Sequence, residues 1–478
     1  MRPSYPPGSP EQIAYRVIQD CADCDCCRPI LDEACLFFPE LYRLYDRQTE
    51  TGRTPCPEEL RALVERCNFC ALCPCPNIRA DIIRAKTAFV ARDGLPARVR
   101  WVEDVQRIGK VCGAFPRLTG RLLSPTRAGR RLKRWIGIHP ERRLPEFPRE
   151  HFRAWARRRG LHRKPRAAAG KRVLYFAGCT ATYLFPGVAR ATVEVLQACG
   201  LSVFCPPLSC CGMPSFLEGD REFTLRAASK NLAVLSAAAE EGYDILCSCP
   251  TCSFMLRGLM AEGAYFAEAY QKAVGSDPRF IRVPARARAG GRAAGGMEIF
   301  DRTMFQHILK DDGYFSGLDP LRRIAVAEKT FDVGEYLLQR EGEGAGPGGF
   351  SPLRRKALYY APCHQREQHF GRPYLDLLRR IPGLEAADLE GNLYCCGLAG
   401  VMGFKHDFHD LSITLGGRLM RRIEEIHPEA ILTDCLSCRL QFEQLLPYPV
   451  RHPIEILREA LPSPAAGGTG EGGQRPAG

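Results

Sequence analysis

The sequence predicts a multidomain α+β chain: a small helical N-terminal module, a basic linker, and two copies of one α/β domain. Three observations predict it. First, Cys179, Cys210-Cys211-Gly212 and Cys249-x2-Cys252 return as Cys363, Cys395-Cys396-Gly397 and Cys435-x2-Cys438, displaced by 184, 185 and 186 residues. Three separated landmarks hold that register only if the segment is duplicated. Second, both copies alternate short apolar runs with amphipathic stretches of helical period, the pattern of βα units. Third, the residues ahead of the first copy carry a different signature, two Cys-x2-Cys-x2-Cys runs among helical segments.

The bulk numbers agree with this plan and exclude other classes. A chain of 478 residues suggests about three domains. Hydrophobic residues make up 45% of it, enough for packed cores. The 24 cysteines would suit a disulfide scaffold only in a small secreted chain. Residues 1–10 are Pro-rich and polar, without the apolar core of a signal peptide, and no apolar run is long enough to span a bilayer. The expectation is a cytoplasmic protein with reduced thiols. The net charge of +13 is local: residues 98–172 hold 23 Lys or Arg against 5 Asp or Glu. That distribution favours contact with one acidic surface over a chain-wide nucleic-acid groove.

Residues 1–97 form the first module. A helix presenting Ile13, Val17 and Ile18 leads into Cys21-x2-Cys24-x2-Cys27, with Cys35 beyond it. An aromatic helix over 36–50 and a polar one over 58–66 precede Cys67-x2-Cys70-x2-Cys73 and Cys75-Pro76. A further helix over 77–97 ends near Gly94. Two such triplets, each with a later fourth Cys, resemble a bacterial two-cluster ferredoxin module, in which the fourth Cys of each run serves the other cluster. The resemblance implies one [4Fe-4S] cluster on Cys21, Cys24, Cys27 and Cys75, and another on Cys67, Cys70, Cys73 and Cys35. Both fourth positions depart from the usual spacing, and Cys35 lacks a following Pro. Cys26, beside Cys27, reads as a bystander. A pair of structural zinc sites is the competing assignment, although zinc knuckles pair Cys-x2-Cys with a distant second pair.

Residues 98–170 are the basic linker. Trp101, Val105, Ile108, Cys112 and Phe115 fall on one helical face, and Leu118, Leu122, Leu132, Trp135 and Ile136 continue an apolar theme among Arg127, Arg130, Arg131, Lys133 and Arg134. This composition suits a membrane surface or a partner, or equally a helix packed on its own domain with a solvated basic face. Gly109, Gly113 and Pro116 argue against one long helix.

The first copy is placed at 171–265 and the second at 354–462. In copy one, strands at 172–177, 201–204 and 243–246 are followed by Cys179, by the Cys210 turn and by Cys247, Cys249 and Cys252. Helices at 186–199, 220–241 and 254–260 complete it. Copy two repeats the order, with strands at 357–360, 384–389 and 430–432 and helices at 372–381 and 406–426. Cysteines at the C-terminal ends of strands lie where open α/β sheets bind ligands. Gly212 and Gly397 suit a tight turn that brings the backbone near a cofactor. Between the copies, 266–353 is a connecting insertion with a flexible Gly/Ala/Arg-rich stretch, a helical 301–340 and a linker at 341–349. Residues 463–478 are expected to be a disordered tail.

Five thiols per copy exceed the four that a zinc site or an ordinary cube takes. A Cys, then Cys-Cys-Gly, then Cys-x2-Cys at these separations resembles the CCG domain of heterodisulfide reductases. Two such domains behind a two-cluster module resemble the iron–sulfur subunits of anaerobic glycerol-3-phosphate dehydrogenases, glycolate and lactate oxidases and heterodisulfide reductases, over about residues 15–460. The resemblance implies one centre on Cys179, Cys210, Cys211, Cys249 and Cys252, and another on Cys363, Cys395, Cys396, Cys435 and Cys438. Each would be a [4Fe-4S] cluster, non-cubane or ordinary, or zinc. Cys247 makes the ligands of copy one ambiguous. Of the six remaining cysteines, Cys199 and Cys112 read as small core hydrophobes, and Cys26, Cys56, Cys205 and Cys247 have no assigned role. His364 and His369, beside Cys363, read as solvated loop histidines, with a hydrogen bond toward the Cys363 site as the alternative.

The family implies an electron-transfer subunit between a flavin-containing dehydrogenase and a quinone, a cytochrome or a thiol/disulfide acceptor. No GxGxxG follows a strand, so a flavin would come from a partner. The basic linker would meet a membrane-bound partner or the inner face of the plasma membrane. The alternative is a catalytic disulfide reductase, with no residue assigned a catalytic role beyond the ligands. A zinc-stabilised nucleic-acid binder is the remote alternative, and no nucleic acid is expected because the linker aromatics do not form a stacking platform.

Overall fold

A computed structural model describes residues 5–31, 34–70, 72–73, 75–165, 170–286, 293–305, 309–346, 348–389 and 394–462. Ten strands are present among them: β1 Arg172–Phe176, β2 Ser202–Phe204, β3 Asp244–Cys247, β4 Phe280–Arg286, β5 Ala293–Asp301, β6 Thr330–Asp332, β7 Arg355–Tyr359, β8 Leu384–Asp388, β9 Ile431–Leu432 and β10 Val450–Arg451.

Two four-stranded sheets hold the two copies. The first has the order β2-β1-β3-β6 and the second, read from its matching edge, β8-β7-β9-β10. Every pairing in both is parallel. The duplication visible in the cysteines is thus a duplication of topology. β3 and β6 are buried throughout, as parallel strands covered on both faces must be. One core runs between the sheets. It joins Val173, Tyr175, Leu246 and Phe331 of the first copy to Ala357, Tyr359 and Leu432 of the second. The helices Pro186–Ala198 and Pro453–Ala460 pack within it. Each copy has its own outer core on the far face of its sheet.

The fourth strand of the first sheet, β6, comes from the segment expected to be connecting and helical. Thr330, Phe331 and Asp332 extend along β3, and the helices Pro320–Lys329 and Val333–Gly342 flank them. A three-residue buried strand has too short a pattern to stand out between helices. The inserted segment also contains an antiparallel hairpin of β4 and β5. The Gly/Ala/Arg-rich stretch falls largely at 287–292, outside the described residues, as does the tail at 463–478.

The N-terminal module packs helices Pro10–Cys24, Phe37–Thr51, Pro57–Glu65 and Pro76–Asp93 around Ile18, Phe37, Leu41, Leu60, Leu63, Ile82 and Phe89. Three of these helices open on Pro, whose missing N–H costs nothing there. The Glu59 carboxylate accepts from Cys56 N at 2.9 Å, which gives Cys56 a position at a helix start.

The linker is not one amphipathic helix. Asp104 ends Ala97–Glu103 and caps Val105–Ala114, its Oδ1 accepting from Arg107 N at 2.9 Å. Pro116 then starts another short helix, Pro116–Leu122. The break splits the expected face: Cys112 is buried, whereas Phe115 is 67% exposed. Further on, the linker straps copy two. His139 N donates to Phe404 O at 2.9 Å. The fully buried Arg142 donates to Gln441 Oε1 at 2.6 Å and lies over the Phe404 ring. Among the described residues no helix is long and apolar enough to cross a membrane.

Candidate metal centres

In copy one, the turns after three strands bring five thiols together. Cys179 lies in the helix Gly178–Tyr183 directly after β1, and Cys249 caps the helix Pro250–Arg257 after β3, with Cys252 in its first turn. Cys179 Sγ and Cys210 Sγ are 3.3 Å apart. Cys211 lies within hydrogen-bonding reach of both Cys210 and Cys252, and Cys252 of Cys249. The five therefore form one unbroken group. Cys247 does not join it through any hydrogen bond; it is fully buried in the outer core, on β3.

Copy two repeats the arrangement. Cys396 Sγ and Cys438 Sγ are 3.3 Å apart, Cys395 reaches Cys396, and Cys435 reaches Cys438. Cys363 stands close enough to feel the charge of Cys396. The two groups also meet each other, because Cys249 of copy one lies within hydrogen-bonding reach of Cys435 of copy two.

The Cys-Cys-Gly turns need glycine for conformation and for space. Gly212 and Gly397 have φ of +97° and +89°. A Cβ on Gly397 would lie 2.2 Å from Ser412 O, on the helix His409–Ile426. The close approach is therefore to the following helix, which holds the turn. The same turn aims its own N–H at sulfur: Gly397 N donates to Cys395 Sγ at 3.3 Å.

Electrostatics show what these groups suit. Desolvation holds the half-buried Cys363 thiol up at about 11. Some thiols are the acceptors for their neighbours: in copy one Cys210 holds Cys211 down at about 6 and Cys252 holds Cys249 well below the ordinary thiol value, and in copy two Cys395 does the same to Cys396. Five thiols packed this closely can all ionise only around a cation, and backbone N–H donors aimed at sulfur are what an iron–sulfur centre uses. The donor set therefore fits such a centre. Among the described residues, no group of three or more His, Cys, Asp or Glu side chains is placed to hold a single metal ion.

In the N-terminal module, Cys21, Cys24, Cys27, Cys73 and Cys75 all line one cavity of about 350 Å³. Cys35, Cys67, Cys70 and Cys73 form a second neighbourhood, each electrostatically coupled to others of the set. This second set abuts copy two, where Cys70 shares an apolar cluster with Cys363 and Cys395. Cys26 is exposed. Cys112, Cys199 and Cys205 are buried, the last two in the core between the sheets.

His364 is not a solvated loop residue. It is 8% exposed, stacks on Phe254, and sits between Phe69 O at 3.2 Å and Thr251 Oγ1 at 3.0 Å. It thereby ties the Cys363 turn to the cysteine loops of copy one and of the N-terminal module. His369 is exposed. Sequence reasoning missed four further neighbours. Asn68 donates to Cys395 Sγ, and Gln106 accepts from Cys210 N at 3.2 Å. Asp332 and Asp434, both fully buried, lie at the junction of the two copies. Asn68 alone had a signal, its place between two predicted ligands.

Comparison with known proteins accords with this geometry. The family model of the cysteine-rich CCG domain matches residues 173–257 and 357–443. The chain is 26% identical over 328 residues to a subunit of the anaerobic glycerol-3-phosphate dehydrogenase of Escherichia coli (strain K12), covering 68% of this chain and 67% of that one. It is 25% identical over 324 residues to the glycolate oxidase iron–sulfur subunit of the same organism, covering 67% and 64%. To a subunit of the fumarate reductase (CoM/CoB) of Methanothermobacter marburgensis it is 24% identical over 280 residues, 58% of this chain and 42% of the relative.

Proposed function

Starting from a chain that carries two CCG cysteine-rich domains and is homologous to iron–sulfur subunits of dehydrogenases, we propose that it is the electron-transfer subunit of an oxidoreductase. It would connect a flavin-containing dehydrogenase to a quinone, a cytochrome or a thiol/disulfide acceptor. The observation that carries this is the continuity of the thiols. The set at Cys21 borders that at Cys70, Cys70 borders Cys395, and Cys435 borders Cys249.

Cys21, Cys24, Cys27 and Cys75 would hold one [4Fe-4S] cluster, and Cys35, Cys67, Cys70 and Cys73 the other. Each CCG domain would hold a third or fourth centre on its five cysteines, with an ordinary cluster or zinc as the alternatives. Bound clusters supply one-electron chemistry whose potential the protein sets by charge, hydrogen bonds and burial. The chain's own residues bury the thiols, aim N–H groups at sulfur and fix the order of the sites. Its place would be the cytoplasm, with the linker against the inner membrane face. Phe115, Leu118, Leu122 and Trp135 are exposed there, among arginines.

A specific observation favours disulfide reduction as the second reading: the two five-thiol groups meet at Cys249 and Cys435, beside two buried carboxyls. An anaerobic reductive titration followed by EPR tests the proposal. Uptake of about four electrons per chain, with signals in the N-terminal and CCG sites, is the expected outcome. No reducible centre in properly handled protein would end it. Turnover of an added disulfide without any partner would move the assignment to the reductase.

A further inference from the structure

The two CCG domains share their turn chemistry but not their surroundings. In copy two the first cysteine of the pair, Cys395, receives a donor from outside its own domain. Asn68 Nδ2 approaches Cys395 Sγ at 3.3 Å, across 327 residues of sequence. Asn68 is 8% exposed. Its counterpart in copy one, Cys210, has the equivalent turn donor from Gly212, but its sulfur's partner there is Cys179 Sγ at 3.3 Å. Among the described residues no side-chain amide reaches Cys210 Sγ.

The loop that carries Asn68 is held in place. Phe69 has φ +53°, a left-handed conformation that costs a bulky residue energy and persists only where surroundings impose it. They do so here. The Phe69 ring packs edge-on to Phe216 at 5.2 Å and against Phe254, and its carbonyl oxygen faces His364 Nε2. Arg79, ten residues further on, lies over the same ring and pairs with Glu367 of copy two. A buried amide donating to sulfur gains most when the sulfur is a thiolate, since a neutral thiol is a weak acceptor. Such a bond strengthens as an electron is added to the centre that the thiolate holds.

We propose that Asn68 sets the reduction potential of the centre held by Cys395, through an N–H···S hydrogen bond across the boundary between the N-terminal module and the second CCG domain. Asn68 is a positioning residue in this role, acting through Cys395. It makes the second centre easier to reduce than the first, whose cysteine pair has only the turn. The inference rests on the proposed iron–sulfur occupancy of copy two.

The test is an EPR-monitored redox titration of the full anaerobically purified chain and of Asn68→Leu, which keeps the branched shape and removes the donor. The signal lost in Cys438→Ser identifies the second centre. In Asn68→Leu that centre should become harder to reduce by about tenfold in its one-electron equilibrium, ~59 mV, with the other centres unchanged. Asn68→Gln, which keeps an amide donor, should recover part of the shift. In the wild-type chain labelled with 15N-asparagine, the reduced second centre should show a 15N hyperfine coupling that is absent in Asn68→Leu. This readout applies even if the leucine variant assembles poorly, because Asn68→Gln then serves as the comparison. An unchanged potential in an intact Asn68→Leu, or no 15N coupling in the wild type, overturns the inference while leaving the iron–sulfur assignment standing. Zinc in copy two overturns both.

Discussion

Copy one and copy two have the same sheet order and the same five-cysteine set, yet they are braced by different parts of the chain. Copy two is gripped from two sides. Asn68 and Arg79 reach it from the N-terminal module, and Arg142 is driven into it from the linker. Copy one takes Gln106 from the linker at Cys210 and the buried Lys86, whose Nζ donates to Leu217 O at 2.8 Å. It also carries the inserted hairpin and three further cysteines, Cys199, Cys205 and Cys247. A duplicated framework thus keeps its chemistry, while the outside contacts differentiate the two sites.

The largest expected effect removes one site and spares the other. Cys396→Ser should cost the chain about four iron and leave the signals of copy one intact, by metal analysis and EPR. If copy one also lost its iron, the two sites would be one cooperative unit. Next is the linker's grip. Arg142→Ala deletes a fully buried guanidinium that bonds Gln441 and the Leu440 carbonyl. It should destabilise copy two by about 3 kcal/mol in denaturant unfolding, against about 1 kcal/mol for Gln106→Ala at copy one. Equal losses would erase the asymmetry between the copies.

The third prediction concerns the junction that both copies share. Burial pushes the Asp332 carboxyl from its ordinary 3.8 up to about 8. The folded state therefore holds a proton that the unfolded state has released. The associated stability is complete below pH ~4 and declines until the pH passes ~8. Asp332→Asn, which keeps the acceptor for Gly334 N, should gain in melting temperature over the wild type as pH rises from about 5 to about 8.5. A constant difference would mean the carboxyl is already ionised. The smallest effect on stability is expected on the linker's outer face. Phe115→Ala with Trp135→Ala should change stability by less than about 0.5 kcal/mol, because both side chains are exposed. The same pair should weaken binding to anionic vesicles in a flotation assay.

Much of this was legible in the sequence where structure is local. The constant cysteine offsets announced the duplication. Short apolar runs announced β1, β3 and β7, and the cysteines at their C-terminal ends followed them. What escaped depended on contacts between distant segments. Asn68 and Cys395, like Arg142 and Gln441, have no shared local pattern. β6 has three residues and is a strand only because β3 lies beside it. His364 looked like a loop residue because its cover, Phe254 and Phe69, comes from other modules. The linker's apolar periodicity was real as sequence, but Asp104 and Pro116 cut it before it could form one face.

The central claim is that the five-thiol groups of both copies hold iron–sulfur centres. It is tested most directly by iron, acid-labile sulfide and zinc per chain in anaerobically purified full-length protein. About sixteen iron with matching sulfide and no zinc is the predicted result. About eight iron accompanied by zinc would contradict it, and would make the CCG domains structural supports for a redox module confined to the N-terminus.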